Sequence, residues 1–242
     1  CIRDSYTVLA DTYALQYKES KQAHFVPKAM VGYLSPNHRR EITGNEHVRK
    51  AFLQAIDKET FAKEILGDGS TALNGFVPAN FAKNPDTGED FRKENGDLLP
   101  YNIKEAQANW NKAKEELGKD KIELELISAD SAIAKKTIEF VQGQLQQNLP
   151  GLTIKLKSLP LQNRLDLQTA GNYDLAFGTW TPDYADPFNF LEFYDSKSGL
   201  NTSGYNDSAY DAGLQKVRKD YANEPEKRWN CLLYTSPSPR DS

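Results

Sequence analysis

The densest run of residues able to engage another molecule is Trp180-Thr181-Pro182-Asp183-Tyr184-Ala185-Asp186-Pro187-Phe188. It sets an aromatic face and a carboxylate directly after Tyr173 to Trp180, an apolar run with the pattern of a buried strand. Ligands of α/β sheets bind outside the carboxyl ends of strands, so an anion placed there can meet a cationic group. Asp186 before Pro187 reads as the N-cap and first-turn pair of a helix to about Tyr194. Asp183 reads either as a turn residue after Pro182 or as a ligand-facing carboxylate, and both readings stay open at this point.

Other chemistries find little support. His24, His38 and His47 lie in polar or basic surroundings, none beside a serine in a G-x-S-x-G elbow. No H-x-x-x-H, C-x-x-C or EF-hand spacing occurs, so neither a metal nor a cofactor is expected. Gly67-Asp68-Gly69 lacks the lysine of a phosphate loop. Asp86-Thr87-Gly88 spells the aspartic-protease tripeptide, but one copy among Asn, Pro and acidic residues reads as a solvated turn. Asn201-Thr202-Ser203 and Asn206-Asp207-Ser208 match the glycosylation triplet and read equally well as turns. The one enzymatic alternative is a hydrolase using paired carboxylates such as Asp183 and Glu192.

The elements that must carry the elbow are legible from periodicity. Asn45 caps a helix with Val48, Phe52 and Ala55 on one face, and Lys58 to Leu66 continues as a second, ended by Gly67. Residues 67 to 101, rich in Gly, Pro, Asn and Asp, read as a long surface excursion. Asn102 caps a helix to Leu117, with Glu105 completing a capping-box pattern and Ile103, Ala106, Trp110, Ala113 and Leu117 inward. Strands follow at Ile122 to Leu126 and Leu152 to Leu156, separated by a helix from Asp130 to about Asn148. A short helix from Pro160 leads to the strand Tyr173 to Trp180. Strand, helix, strand, helix, strand makes βαβ units and a largely parallel sheet. Asp207 caps a last helix with Tyr210, Leu214, Val217 and Tyr221 inward.

Composition sets outer limits. The 242 residues can bury a real core, and 30 Lys+Arg against 34 Asp+Glu leave a net charge of −4. That balance carries no polybasic footprint, so nucleic acid is not an expected partner. With a mean hydropathy of −0.69 no run of ~20 apolar residues exists to span a bilayer. Aromatics reach 11%, which suits a secreted or surface binding protein as well as a cytosolic enzyme and does not choose between them.

The two cysteines lie in the terminal runs Cys1-Ile2-Arg3-Asp4-Ser5 and Cys231 to Ser242. Codons for the first, TGT ATA AGA GAC AG, have a reverse complement that encodes Cys-Leu-Leu-Tyr-Thr, the residues Cys231 to Thr235. The ends therefore read as one inverted repeat, a transposase adapter translated on both sides of an insert. The expectation is that residues 1–5 and 231–242 are adapter-derived and pack against nothing, with 6–230 the biological fragment. Cys1 is then no acylation site, and no Cys1–Cys231 disulfide forms.

Three segments resemble the family 5 extracellular solute-binding proteins, the oligopeptide-binding components of ABC importers. Asn45-x-x-Val48-Arg49-Lys50-Ala51-x-x-x-Ala55-Ile56-Asp57-Lys58-Glu59 is similar to the family's VR-x-A-x-x-x-A-ID-[RK]-[ED] helix. Trp180-x-x-Asp183-Tyr184-x-Asp186-Pro187 resembles the elbow after its ligand-facing strand, and Asn201-x-x-x-Tyr205-x-x-x-x-Tyr210-Asp211 its later Y…[YF]D segment. The resemblance implies the second lobe of a type II periplasmic-binding fold, here a mixed, largely parallel α/β sheet flanked by helices. It implies a non-enzymatic protein outside the cell or in the periplasm, held by a lipid anchor absent from this fragment. Its partners would be oligopeptides and ABC permease subunits, with nickel chelates, sugars or a signalling peptide as alternative cargo. In the family's peptide-binding members a carboxylate of this elbow pairs with the ligand's α-amine, a role that falls on Asp183. The strand Gly178, Thr179, Trp180 and Thr181 would pair with peptide main chain, with Trp180 and Tyr184 excluding water. The helix Asn45 to Asp57 receives no ligand role, its pattern being explained by packing.

Overall fold

The computed structural model describes residue 20 and residues 28–236. Its centre is a four-stranded sheet built from β1 (Val31–Pro36), β2 (Ile122–Ala129), β3 (Leu152–Leu159) and β4 (Leu175–Trp180), in the order β1-β4-β2-β3. β2 is parallel to both β3 and β4, while β1 is antiparallel to β4, with Val31 opposite Trp180 and Pro36 opposite Leu175. The mixed, largely parallel α/β architecture expected from the sequence is the one observed.

Helices cover both faces because β2 and β4 bury alternate residues on opposite sides. On one face α1 (Glu46–Ala55), α4 (Ile103–Leu117) and α5 (Ala132–Asn148) close a core around Phe52, Trp110, Leu126, Leu145 and Leu175. On the other, α6 (Leu161–Thr169) lays Leu167 against Ile127, Tyr173 and Ala176. The family-like helix α1 packs as its pattern requires. Val48, Ala51 and Ala55 are fully buried, and Asn45 caps it by accepting from the Val48 N–H at 3.1 Å. Lys58–Thr60 and Phe61–Leu66 together form α2, which ends at left-handed Gly67 (φ 57°). Glycine tolerates that conformation without the clash a Cβ would introduce.

A second apolar cluster lies beyond the carboxyl end of β4. It joins α3 (Phe91–Asn95), α7 (Phe188–Leu191, continuing as a tight turn through Tyr194), α8 (Ser208–Gln215) and α9 (Pro225–Thr235) through Phe91, Phe190, Leu214, Trp229 and Leu232. The stretch 67–101 is therefore not the pure surface excursion its composition suggests. Val77 and Phe91 are 1% and 0% exposed and anchor it in this cluster.

Four local expectations change. The cap of α5 is Ser131, which accepts from the Ala134 N–H at 3.3 Å, rather than Asp130. Asn102 does cap α4, but its own N–H donates to the Gln54 carbonyl (2.9 Å), so no reciprocal capping box with Glu105 is needed. Ile103, expected inward, is 38% exposed. The helix capped by Asp207 is followed by α9, which runs through residue 230 into the segment expected to pack against nothing. Leu232 is fully buried, the Asn95 side chain donates to the Leu233 carbonyl, and Ser236 donates to Asn95. The physical reason is propagation: once Pro225 opens the helix, each further residue adds a bond cheaply, and Leu232 falls on its inward face. Residues 1–5 and His24 lie outside the described residues; Cys231 is a free thiol.

The described turns behave as read. Asn84 accepts from the Asp86 and Thr87 N–H groups in the exposed Asp86-Thr87-Gly88 turn. Asn201 spends its amide on the carbonyls of Tyr194, Asp195 and Tyr205.

Two outcomes follow for stability. Leu232→Ala should lower unfolding free energy by about 2–5 kcal/mol, as buried leucine truncations do. A chain ending at Asn230 that melts like the parent would show that the last turns of α9 add nothing. His38, beside β1, stacks edge-on against Tyr205 at 5.3 Å. Burial, with Arg49 and Arg39 adding repulsion, pulls its pKa down to about 4. The unfolded chain then binds the extra proton between about pH 6.5 and 4. Stability from this group is full above that window and is lost as pH falls through it. Denaturant titrations of His38→Gln should show a shallower acid loss than the parent across the same range.

Candidate functional site

The site is set by where strands part. The β2-to-β3 connection crosses one face by α5 and the β3-to-β4 connection crosses the other by α6, so the order reverses between β2 and β4. That is the topological switch point of the sheet, where a crevice opens at the strands' carboxyl ends. The elbow Trp180 to Phe188 leaves β4 at this crevice.

The parity of the β1–β4 ladder decides which main-chain groups face the crevice. At the foot of the ladder the Asn37 N–H donates to the Asp174 carbonyl at 2.9 Å, directly across from it. In an antiparallel pair such hydrogen-bonded positions alternate with non-bonded ones. Ala176, Gly178 and Trp180 therefore turn their N–H and C=O groups towards β1. Leu175, Phe177 and Thr179 turn theirs towards β2. Accordingly, the Phe177 carbonyl accepts from Arg164 Nη1 of α6 (3.0 Å) on that side. The expected ligand edge Gly178 to Thr181 thus narrows. Gly178 and Trp180 are committed to β1, and Thr179 is the strand residue whose main chain is open, with Thr181 beyond the strand end. Both threonines are exposed.

Gly178 has a different task. A Cβ there would lie 2.9 Å from the Tyr33 hydroxyl and 3.0 Å from Arg164 Nη1. Its missing side chain is what lets both groups reach the strand. Burial pushes the Tyr33 hydroxyl up to about 12, with the nearby Arg164 charge acting in the opposite sense.

The elbow is held by a residue the sequence reading did not single out. Asn189, 2% exposed, accepts through Oδ1 from both the Trp180 indole N–H and the Asp183 backbone N–H, each at 3.3 Å. Its amide donates to Glu192 Oε1. The Tyr184 hydroxyl also donates to Glu192 (2.8 Å), while Arg218 faces Glu192 and pairs with buried Asp195 at 2.6 Å. Desolvation, reinforced by the Glu192 carboxylate that its hydroxyl bonds, raises the Tyr184 hydroxyl to about 12. The N-cap position of α7 falls on Pro187, one residue later than expected; Asp186 ahead of it accepts from the Phe188 N–H at 2.8 Å and forms a two-point pair with Arg228 at 2.8 and 3.1 Å. Trp180 is half-buried, edge-on to Phe193 at 5.3 Å, and so belongs to the second core as much as to the crevice.

Against this background Asp183 stands apart. It is exposed, and among the described residues its carboxylate has no hydrogen-bond or ion-pair partner, whereas Asp186, Glu192 and Asp195 are all engaged. A backbone-anchored anion beside an open strand edge can take a ligand's ammonium and main chain together. Glu192, the second carboxylate of the hydrolase reading, is spent on Tyr184, Asn189 and Arg218. Among the described residues no group of three His, Cys, Asp or Glu is placed to hold a metal.

Comparison with known proteins gives a consistent result. Residues 2–202 match the model of bacterial extracellular solute-binding proteins, family 5 Middle. A dipeptide-binding protein of Lactococcus lactis is 33% identical over 211 residues, covering 86% of this chain and 36% of the relative. Among solved structures, a peptide-binding protein of a peptide ABC transporter is 38% identical with a TM-score of 0.82, over 86% of this chain and 92% of that one. Listeria monocytogenes OppA bound to peptide is 36% identical with a TM-score of 0.87, over 95% of this chain and 44% of that one. The chain thus spans well under half the length of its curated relative.

The anchoring role of Asn189 is open to measurement. Asn189→Ala leaves the Trp180 and Asp183 N–H groups without their acceptor and should destabilise the fold by about 1–3 kcal/mol. Denaturant unfolding that matches the parent would show that the elbow holds its shape without this side chain.

Proposed function

Because the chain belongs to the bacterial extracellular solute-binding proteins of family 5, we propose that it is one lobe of a protein that captures oligopeptides and delivers them to an ABC permease. The observation that carries this reading is the Asp183 carboxylate, without a partner among the described residues, at the end of the open Thr179 edge. The names of its relatives, and the peptide held by the Listeria neighbour, support the cargo class. Capture takes place outside the cytoplasmic membrane, in the periplasm or at a lipid-anchored surface, and involves no covalent chemistry.

The geometry suggests how capture works. A peptide adds alongside β4, exchanging main-chain hydrogen bonds with Thr179, which reads backbone and ignores side chains. Its α-ammonium meets Asp183, whose backbone Asn189 has already placed. A second lobe closes over the crevice by a hinge motion and dries the pair, with the Tyr184 ring beside it. A lobe by itself supplies part of the contacts, so this chain alone binds peptides weakly; micromolar affinity for the isolated chain in calorimetry would place the cleft elsewhere.

Breaking one partner of a buried ion pair costs roughly 2–5 kcal/mol, much of it from stranding the other charge. In the full-length protein Asp183→Asn should weaken free-amine peptides about 30-fold or more, equivalent to ~2 kcal/mol. N-acetylated peptides, having no ammonium, should bind the variant and the parent alike. Parent-like binding of both ligand types by Asp183→Asn would return Asp183 to the status of a turn residue.

A further inference from the structure

The crevice opens earlier than the strands end. β2 and β4 pair only at Leu126 with Leu175 and at Ile127 with Ala176. Yet β2 stays paired with β3 as far as Ala129, and β4 stays paired with β1 as far as Trp180. In the continued parallel register Ser128 would face Phe177 and Ala129 would face Gly178. The Ala129 N–H would then reach the Phe177 carbonyl, and the Thr179 N–H would reach the Ala129 carbonyl. Completing that ladder would consume the open edge.

At this position a side chain intervenes. Arg164 Nη1 donates to the Phe177 carbonyl at 3.0 Å, taking the acceptor the ladder would use next. Arg164 is 7% exposed, its Nε is buried without a partner, and no carboxylate pairs with it among the described residues. A buried guanidinium with no anion and an orphan N–H is an unfavourable arrangement in itself. Stability does not account for it. Gly178 leaves the space it occupies.

We propose that Arg164 is a positioning residue that stops the β2–β4 ladder and so keeps the Thr179 main chain free for a ligand. It touches the strand, not the cargo, and acts through Phe177. The inference rests on the peptide-edge reading for its functional meaning, but the ladder stop itself is a property of the unliganded protein.

The test uses the full-length protein without peptide. In Arg164→Leu the strands should zip by one step, and exchange of the Thr179 and Ala129 amides should slow by ~10-fold or more. Arg164→Lys keeps one donor for Phe177 and should restore parent-like exchange. Gly178→Ala, which crowds Arg164 off the strand, gives a second route to the same protection should Arg164→Leu fold poorly. Peptide affinity should fall with the slowed exchange, by roughly 10-fold. Thr179 exchange unchanged in folded Arg164→Leu and Gly178→Ala overturns the ladder stop, whatever the affinities do. Slowed exchange with parent-like peptide affinity upholds the ladder stop and overturns Thr179 as the ligand edge.

Discussion

The alternation of an antiparallel ladder governs the site more than any single side chain does. Asn37 sets its phase: its N–H bonds Asp174, its side-chain amide donates to the carbonyls of Gly171 and Tyr173, and its own carbonyl accepts from Thr43. With that foot pinned, Thr179 must face the crevice. A slip of one residue would reverse every β4 position, turning Thr179 into β1 and exposing the groups of Gly178 instead. It would also carry Tyr33 away from Gly178. Pro36 fits the same phase, since it sits opposite Leu175 at a position where the ladder asks β1 for no donor.

From this constraint the polar network of the elbow follows in order of burial. Asp195 and Asn189, each 2% exposed, are fully committed to neighbours. Glu192 and Asp186, partly exposed, are each matched by an arginine. Asp183, the outermost, has none among the described residues. A graded series of this kind commits the inner charges to neighbours and leaves one anion of the elbow uncommitted. The apolar counterpart is the second core, where Phe76, Phe193, Tyr194 and Phe190 meet edge-on at 5.3 to 5.6 Å and give the elbow a rigid floor.

The sequence made the periodic parts legible and left the non-local parts hidden. Helix α1, strands β2 to β4, the caps at Asn45, Asn102 and Asp207, and the position of the elbow all follow from spacing or local side-chain chemistry. Strand β1 escaped because Val31-Gly32-Tyr33-Leu34-Ser35-Pro36 lacks a period-two pattern; its Gly and Pro suggest a loop until β4 is there to pair with it. Phe91 is buried against Trp229, more than a hundred residues away, which no local composition reveals. Asn189 and Arg164 look like ordinary polar helix residues. Their roles exist only once the chain brings Trp180 and Phe177 beside them. Asp183 is legible from its place after a strand, whereas its lack of a partner among the described residues is a fact of three dimensions.

The two-point pair between Asp186 and Arg228 joins residues 42 apart in sequence, and Arg218 reaches back to Asp195 across 23. The elbow's carboxylates are therefore written into the chain well before the arginines that pair with them. At ribosomal rates of 5–20 residues per second, roughly 2–8 s separate the synthesis of Asp186 from that of Arg228. Through that interval the sheet can already close around β4, while Asp186 stays hydrated and waits for Arg228. The Thr179 edge is thus assembled before its rim is complete, and the nascent chain carries Asp186 unpaired until Arg228 emerges on α9.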